Sequence, residues 1–375
     1  MKVSVSQQNL AHGLSIVSRA VAPRTTLPVL SNVMLATDDG RLRLSATNLE
    51  LGITCWIGAK VEEEGSFTVP ARTFTDLVNT LPNETLNLVL NSRTQSLEIH
   101  STASASEVKG IDAQEFPPMP VPEADAGVVL NVADLKEMIQ QVVFAASTDE
   151  ARPVLMGAQI TMEGNEMMMA AADGFRISVK KAALSSPLAN PVNIIVPARA
   201  WTELARVAVD GDQTVLMTVP AGRGQVIFTL KDVEVASQLI EGKFPDCNQI
   251  IPRTYKTRTV LTTQSLLAAC KRAEVFAREG SNVVRMNLKP AGEGAMSVVE
   301  ISAMNEETGK SDEGVDATIE GANLLIAFNV RYLREVLEVI RTPNVALETT
   351  APNTPGVVKP VSDDSFVHVI MPMHL

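Results

Sequence analysis

Cysteine is scarce in this chain: three residues, Cys55, Cys247 and Cys270, in a length of 375, with no paired spacing. That excludes a disulfide framework and fits a reducing compartment. No apolar run approaches the ~18 residues that a membrane-spanning helix needs. Met1-Lys-Val-Ser-Val5 reads as the start of an alternating strand and not as a signal peptide. The expectation is therefore a soluble intracellular protein, in the cytoplasm and without a membrane partner. The four histidines, His12, His100, His368 and His374, are scattered, and Gly-x-x-x-x-Gly-Lys, His-Glu-x-x-His and Cys-x-x-Cys are all missing. No spacing fits a metal, a cofactor or a catalytic site, and no enzyme is expected. Cys270 lies on an apolar helix face and reads as core, not as a nucleophile; Asp173, before Gly174, reads as a turn former. Positive charge is short too, with 32 Lys and Arg against 43 Asp and Glu for a net −11. Taken whole, that balance argues against a phosphate-rich partner.

What the chain does have is repetition. Val196-Pro-Ala-Arg-Ala-Trp-Thr-Glu-Leu204 repeats Val69-Pro-Ala-Arg-Thr-Phe-Thr-Asp-Leu77, and Phe328-Asn-Val-Arg-Tyr-Leu-Arg-Glu335 is a fainter third copy. Arg72, Arg199 and Arg331 stand 127 and 132 residues apart, each followed at i+4 by Asp76, Glu203 or Glu335. Leu10, Leu135 and Leu267 open helical patterns at matching offsets, Asn48, Asp173 and Asn305 keep the same spacing, and Phe116-Pro117 and Phe244-Pro245 close the first two copies. Agreement of four landmarks on one period identifies a domain of roughly 125 residues used three times, each copy large enough to bury its own core. The boundaries fall at 1–122, 127–252 and 257–375, with the proline-rich Phe116–Pro122 as a stiff linker.

Within a copy the pattern is strand, helix, three strands, and then the same order again. In the first, residues 1–5 precede a helix at 6–21 capped by Ser6, with Leu10, Leu14, Val17 and Val21 on one face. Strands are expected at 32–37, 41–47 and 51–57, then at 66–69, followed by a helix entered through Pro70 and strands at 85–90, 95–101 and 107–111. The fold class is α+β: three tandem copies of a doubled βαβββ unit, hence six helices. Gly222-Arg-Gly224 lies between two strand patterns with no helix after it and reads as a hairpin turn, not a phosphate loop.

Charge is unevenly divided. The six helix windows hold eleven Lys or Arg against eight Asp or Glu, leaving a net of −14 on the rest of a chain whose total is −11. A cation in the first turn opposes the helix macrodipole, and basic before acidic is the weaker i, i+4 order. Two readings of the repeated Arg stand: a phosphate held jointly by the Arg and the helix end, or a solvated ion pair inherited by duplication. In the tail, Val369-Ile-Met-Pro-Met-His-Leu375, Pro372 stops strand pairing, so Met371, Met373 and Leu375 cannot all lie in a sheet. Exposed apolar residues there read as a docking surface; the alternative is a tail packed on its own domain.

Several stretches together carry a resemblance: the triple repeat, Arg24-Thr-Thr-Leu-Pro-Val-Leu-Ser-Asn32, Val69-Pro-Ala-Arg72, Ala172-Asp-Gly-Phe-Arg-Ile177, Glu241-Gly-Lys-Phe-Pro-Asp246, Phe328-Asn329 and Met371-Pro-Met-His-Leu375. Over its whole length the chain resembles the bacterial DNA polymerase III beta subunits, the sliding clamps. The resemblance implies a head-to-tail homodimer, a six-domain ring with helices lining the hole and sheets outside, that encircles duplex DNA without sequence preference and acts as a processivity factor. It implies channel-facing cations at Arg24, Arg72, Arg199, Lys271, Arg278 and Arg331. It implies a partner-peptide pocket formed by Leu155, Gly174, Phe175, Arg176, Ile177, Pro245, Ile250, Asn329, Tyr332, Ile370, Met371, Pro372, Met373, His374 and Leu375. Peptides of the replicative polymerase, clamp loader, repair polymerases, mismatch-repair proteins and ligase would dock there. A dimer interface is implied between an edge at Arg93 and Lys109 and a partner edge near Phe276, Glu306, Glu307, Asp312 and Glu313. This chain has Asp-Gly-Phe-Arg-Ile where the family commonly shows Asp-Gly-His-Arg-Leu, and His374 where Arg is familiar. A tandem-repeat polyanion binder that does not close, or a hydrolase with an unrecognised site, are the alternatives.

Overall fold

The computed structural model describes residues 1–22, 25–123, 127–209, 213–278, 281–291 and 296–374. Among them are seven α-helices: α1 (Gln7–Val17), α2 (Ala71–Thr80), α3 (Val132–Val142), α4 (Ala198–Val207), α5 (Cys247–Ile250), α6 (Thr263–Ala277) and α7 (Val330–Val339). Six have ten residues or more, as the repeat requires, and α5 is a single turn. Ser6 caps α1 by accepting from the Asn9 N–H at 3.2 Å. The 6–21 window is α helix only to Val17, then one 3₁₀ turn, Ser18–Ala20. The strands at Arg41–Thr47 and Leu51–Ile57 fall where the alternation places them, whereas Lys60–Glu63, too short and charged to show a pattern, is an added strand. Gly222 and Gly224 sit in the hairpin turn with φ of 72° and 59°.

The described residues form two compact units, Met1–Ala133 with Arg199–Leu239, and Asp134–Ala198 with Ile240–Leu375. The first holds an antiparallel five-stranded sheet ordered Lys60–Glu63, Lys2–Ser6, Thr85–Asn91, Ser96–His100, Ala105–Lys109. It also holds an eight-stranded one, in which Val233–Gln238 pairs with Leu51–Ile57. Its apolar positions are filled by Leu10, Leu14, Leu44, Ile53 and Phe74 and by Trp201 against Phe228, ring centroids 5.1 Å apart.

The second unit carries a twelve-stranded sheet in which Arg176–Ala183 pairs with Phe366–Ile370, and so joins strands of the middle and last copies. The middle copy is therefore divided: its first strand, Val128–Asn131, and its last three extend a sheet of the first copy, and the four between them a sheet of the third. Unpaired edges would otherwise expose rows of backbone groups. α6 and α7 pack together over one face, burying Leu266, Cys270, Ala273, Leu333, Val336 and Leu337. Cys270 is core, and burial pushes its thiol up to about 12. Gly356 permits close approach of the wholly buried Phe328, whose ring lies 2.4 Å from where a Cβ would stand.

Truncating Phe328 to Ala opens a cavity that the surrounding strands cannot close. A loss of about 3–5 kcal/mol is expected, read as a lower denaturation midpoint with the denaturant slope unchanged.

Candidate functional site

The second unit gathers its functional chemistry around Arg176. The turn Asp173-Gly174-Phe175 precedes the strand Arg176–Ala183. Asp173 Oδ1 accepts from the N–H groups of Phe175 at 2.8 Å and Arg176 at 3.0 Å, while Gly174 adopts φ +94°. Asp173 is the expected turn former and more, because its second oxygen takes Arg176 Nε at 3.1 Å. The remaining guanidinium nitrogens donate to Glu335 of α7 and to the Phe144 carbonyl, the latter at 3.0 Å. The guanidinium carbon lies 4.3 Å from the Tyr332 ring centroid and 5.3 Å from that of Phe144. With its side chain 7% exposed, Arg176 is a desolvated cation satisfied on every nitrogen. Removing it would strand two carboxylates, at a cost of about 3–5 kcal/mol.

Glu335 also accepts from Arg331 Nε at 2.8 Å. Burial works to raise its carboxyl, and hydrogen bonds from Arg331 and Arg176 outweigh burial, so the group sits below its usual range. Burial raises the Tyr332 phenol, and the nearby Asp173 charge adds to it. Behind Arg176, His368 is fully buried. Its Nδ1 lies 2.6 Å from Ser178 Oγ, its ring stacks on Phe144 at 5.5 Å, and its Nε2 has no hydrogen-bond partner among the described residues. Burial first, and then the Arg176 charge, hold it well below 6.5 and therefore neutral.

Beside this cluster lies a cavity of about 600 Å³ whose lining includes Phe144, Ser147, Asp149, Arg152, Phe175, Arg176, Tyr332, Arg334 and Glu338. Of the expected peptide pocket, Phe175, Arg176 and Tyr332 line it. Leu155 and Ile177 belong instead to an apolar cluster with Phe244, Cys247 and Val369. Ile177 and Ile370 are buried, at 2% and 0% exposure, and support the site without reaching solvent. Phe175, Ile250 and Met371 are exposed, at 58%, 40% and 41%. The tail is held on both sides: the Met371 N–H donates to the Phe175 carbonyl and the Met373 N–H to the Ala327 carbonyl, each at 2.8 Å. Pro372 and Met373 are half-buried, His374 is exposed, and Leu375 lies outside the described residues. Asn329 caps α7 by accepting from the Arg331 N–H at 3.0 Å; Gly174 is exposed and Pro245 half-buried. Phe144 and His368 carried no signal in the sequence, because they reach Arg176 only through long-range folding; Arg152, which shares the cavity lining, carried none either.

The repeated cations behave differently from copy to copy. Arg72 is nearly fully exposed, 3.9 Å from Asp76, and Arg331 closes its i, i+4 pair. Arg199 instead donates to the Arg19 carbonyl at 2.9 Å. Glu203 turns to Arg206 at 2.9 Å and Arg19 at 3.6 Å, because it is buried where those two reach it. Lys271 pairs with Glu338 at 3.1 Å, and exposed Arg278 follows the end of α6, a favourable place for a cation. Arg24 lies outside the described residues. Lys271 and Arg331 thus carry their own counter-ions, so these two places are less positive than their Lys and Arg content.

At the expected interface, Lys109 ends the outermost strand, Ala105–Lys109, with Nζ 2.6 Å from Glu107, and Arg93 is exposed. In the second unit, Gly309–Gly321 pairs with Thr257–Thr262 only over Ala317–Gly321. Glu306 and Glu307 are exposed beside it and Phe276 is half-buried, but Glu313 is forked by Arg272 at 2.6 and 2.7 Å and Asp312 is met by Lys310 at 2.9 Å.

Three family models, for the N-terminal, central and C-terminal domains of the DNA polymerase III beta subunit, match residues 1–120, 129–246 and 248–374. The beta sliding clamp of Synechocystis sp. is 32% identical with all of both chains covered. That of Bacillus subtilis is 30% identical over 100% of this chain and 99% of its own. The crystal structure of the B. subtilis DNA polymerase sliding clamp superposes with a TM-score of 0.94 at 30% identity, covering 100% of this chain and 99% of that one. The Pseudomonas aeruginosa DNA polymerase III subunit beta gives 0.91 at 28% identity, with both chains fully covered.

His368 makes stability sensitive to acid. Its folded value is depressed, so the unfolded chain binds the extra proton, and stability falls as pH drops through about 6.5 by up to about 1.4 kcal/mol per unit. Denaturation midpoints at pH 7.5 and 5.5 should differ less in His368→Gln than in the parent.

Proposed function

We propose, because this chain belongs to the DNA polymerase III beta subunit family, that it is a DNA sliding clamp, a non-catalytic processivity factor for DNA polymerase. The end-to-end match to the B. subtilis clamp structure carries this reading. Its three tandem α+β clamp domains are taken as 1–122, 127–252 and 257–375, and two chains close head to tail into a ring around duplex DNA, in the cytoplasm. A heterologous contact closes only if the rotation per unit fits; six similar domains supply such a rotation. Two edges suit the contact. Ala105–Lys109 ends one sheet, and among the described residues the stretch 309–316 leaves one side of its strand unpaired, so backbone pairing between them would cover both. Arg93 and Lys109 would face Glu306 and Glu307.

Arg24, Arg72, Arg199, Lys271, Arg278 and Arg331 are assigned to non-specific phosphate contact, which positions DNA without reading it. Because Lys271 and Arg331 already hold carboxylates, a phosphate there only exchanges one anion for another. Such weak contacts suit a ring retained by topology. The surface carried by the Asp173–Ile177 turn and the Met371–His374 tail, together with Leu375, is assigned to apolar anchors of short peptides from polymerase, clamp loader, repair, mismatch-repair and ligase proteins. Phe175, in place of the family's usual His, offers those anchors a larger apolar wall.

Retention on DNA separates a closed ring from a charge-held binder. The loaded protein should remain on nicked circles in high salt and leave when the DNA is linearised; equal loss from circle and line, driven by salt alone, would reject the ring. Neutralising Arg24, Arg72, Arg199 and Arg331 together should slow loading in a salt-dependent way without loss of folded structure.

Deleting Met371–Leu375 should abolish binding of peptides tiled across the cognate polymerase, and polymerase stimulation with it, while retention on circles persists. Undiminished peptide affinity after the deletion would remove the tail from the site.

A further inference from the structure

Each unit covers one face of its joined strands with a segment of chain, and the two covered faces differ in chemistry. In the second unit the covering residues Phe244 and Cys247 close over Ala170, Ile177, Val179 and Val369 in one apolar cluster. In the first, the proline-rich residues 116–122 do the covering. Phe116 is buried with Ala22, Val29 and Leu30, and the Met119 methyl lies 2.7 Å from where a Gly52 Cβ would stand. Aligned by the repeat, the strand registers set Arg43, Ser45, Thr54 and Glu234 where the second unit has Met168, Ala170, Val179 and Val367. An apolar cover cannot close on such a floor without stranding its polar groups. A cavity of about 430 Å³ remains between floor and cover, with Met34 and Trp56 also in its wall.

The polar groups of this floor are only partly satisfied by the chain. The Ser45 and Thr54 hydroxyls, both buried, lie 3.1 Å apart and serve each other. Asp38 Oδ2 accepts from Trp56 Nε1 at 2.8 Å and from Arg43 at 3.3 Å, which fixes the indole and one arm of the guanidinium. Arg43 Nε, although buried, has no hydrogen-bond partner among the described residues. The Glu234 carboxylate has neither a hydrogen bond nor an ion pair among them. Burial holds its carboxyl above the usual range, against the pull of the Arg43 charge and helped by that of Asp38. A donor and a carboxylate, opposite in charge and each unmet, thus line one cavity.

We propose that this cavity binds a free α-amino acid with an apolar side chain, its carboxylate accepting from Arg43 Nε and its ammonium meeting Glu234. The side chain then lies among Met34, Trp56 and Met119, where two thioethers adapt to its shape. Charge selects the class of ligand. A neutral polyol would leave both charged groups desolvated. A monocarboxylate would serve Arg43 but bring a third anion beside Glu234 and Asp38, and a simple amine would leave Arg43 Nε unmet. A zwitterion serves both and adds no net charge. The volume suits a small molecule, whose sites run to roughly 300–1,000 Å³. Pairing of Val233–Gln238 with Leu51–Ile57 creates the site, because it brings Glu234 of the middle copy to the strands of the first. The clamp reading is not needed for it.

Isothermal titration of the full chain with L-methionine should show saturable, one-to-one binding. The decarboxylated amine and the deaminated acid of methionine should each bind at least about tenfold more weakly, as expected for the loss of one charge-assisted hydrogen bond. Glu234→Gln should erase the advantage of methionine over the deaminated acid, and Arg43→Gln its advantage over the decarboxylated amine, in variants whose near-UV circular dichroism matches the parent. Deletion of Met371–Leu375 should leave methionine binding intact. A measurement on the parent alone does not depend on any variant folding: saturating L-leucine should slow peroxide oxidation of Met34 and Met119 but not of exposed Met296, scored by mass spectrometry. Heat no greater than that of dilution, or equal binding of the three compounds, would mean a cavity filled by water and overturn the proposal. So would loss of binding with the tail, or an oxidation rate that leucine leaves unchanged.

Discussion

An open sheet edge is a row of backbone donors and acceptors that must find partners, and this chain meets that demand by pairing strands from different repeats. Val233–Gln238 lies against Leu51–Ile57 and Arg176–Ala183 against Phe366–Ile370. Each pairing includes apolar neighbours across the seam: Ala236 beside Gly52, Val369 beside Ile177. The middle copy is consequently not a compact body of its own but two halves, each completing a sheet begun elsewhere. The same seams place a turn beside each paired strand end, Asn48 to Leu51 in one unit and Asp173 to Arg176 in the other. The surfaces assigned to docking are therefore products of the joining.

Around the second seam, electrostatics adds a constraint that packing alone would not impose. A buried guanidinium is tolerated only because Asp173, Glu335 and the Phe144 carbonyl satisfy it and two aromatic rings flank it. Those partners come from a turn, from α7 and from the segment after α3. Arg176 thereby fixes the turn that presents Phe175 and the helix that presents Arg331. The cluster links the turn that presents Phe175 and a proposed phosphate-facing residue, Arg331, through one carboxylate, Glu335. Its neighbour His368 stays neutral for the same reason: two positive charges cannot share so dry a space.

Internal duplication also shows what may vary inside one architecture. The helix-start Arg recurs three times, yet its carboxylate partner at i+4 is engaged at Arg331, only approached at Arg72, and turned away in α4, where Glu203 is buried against Arg19 and Arg206. Gly52 with Met119, and Ile177 with Cys247, divide similar volumes in opposite ways. Such exchanges keep a core filled while altering the surface above it.

By itself the sequence determined the period, the six long helices and most strands, because these depend on local alternation, on caps such as Ser6, and on turn residues such as Asp173 and Gly222. It also determined the inert character of Cys270, which follows from its place on an apolar helix face. Only the tertiary structure decided which sheets the middle copy completes, since strand partners nearly two hundred residues apart leave no mark in local pattern. Tertiary structure likewise decided that Glu203 abandons Arg199, that Ile177 and Ile370 are buried, and that Phe144 and His368 lie beside Arg176. Each is settled by which long side chains come within a few ångströms once the sheets have joined, a distance that spacing along the chain does not encode.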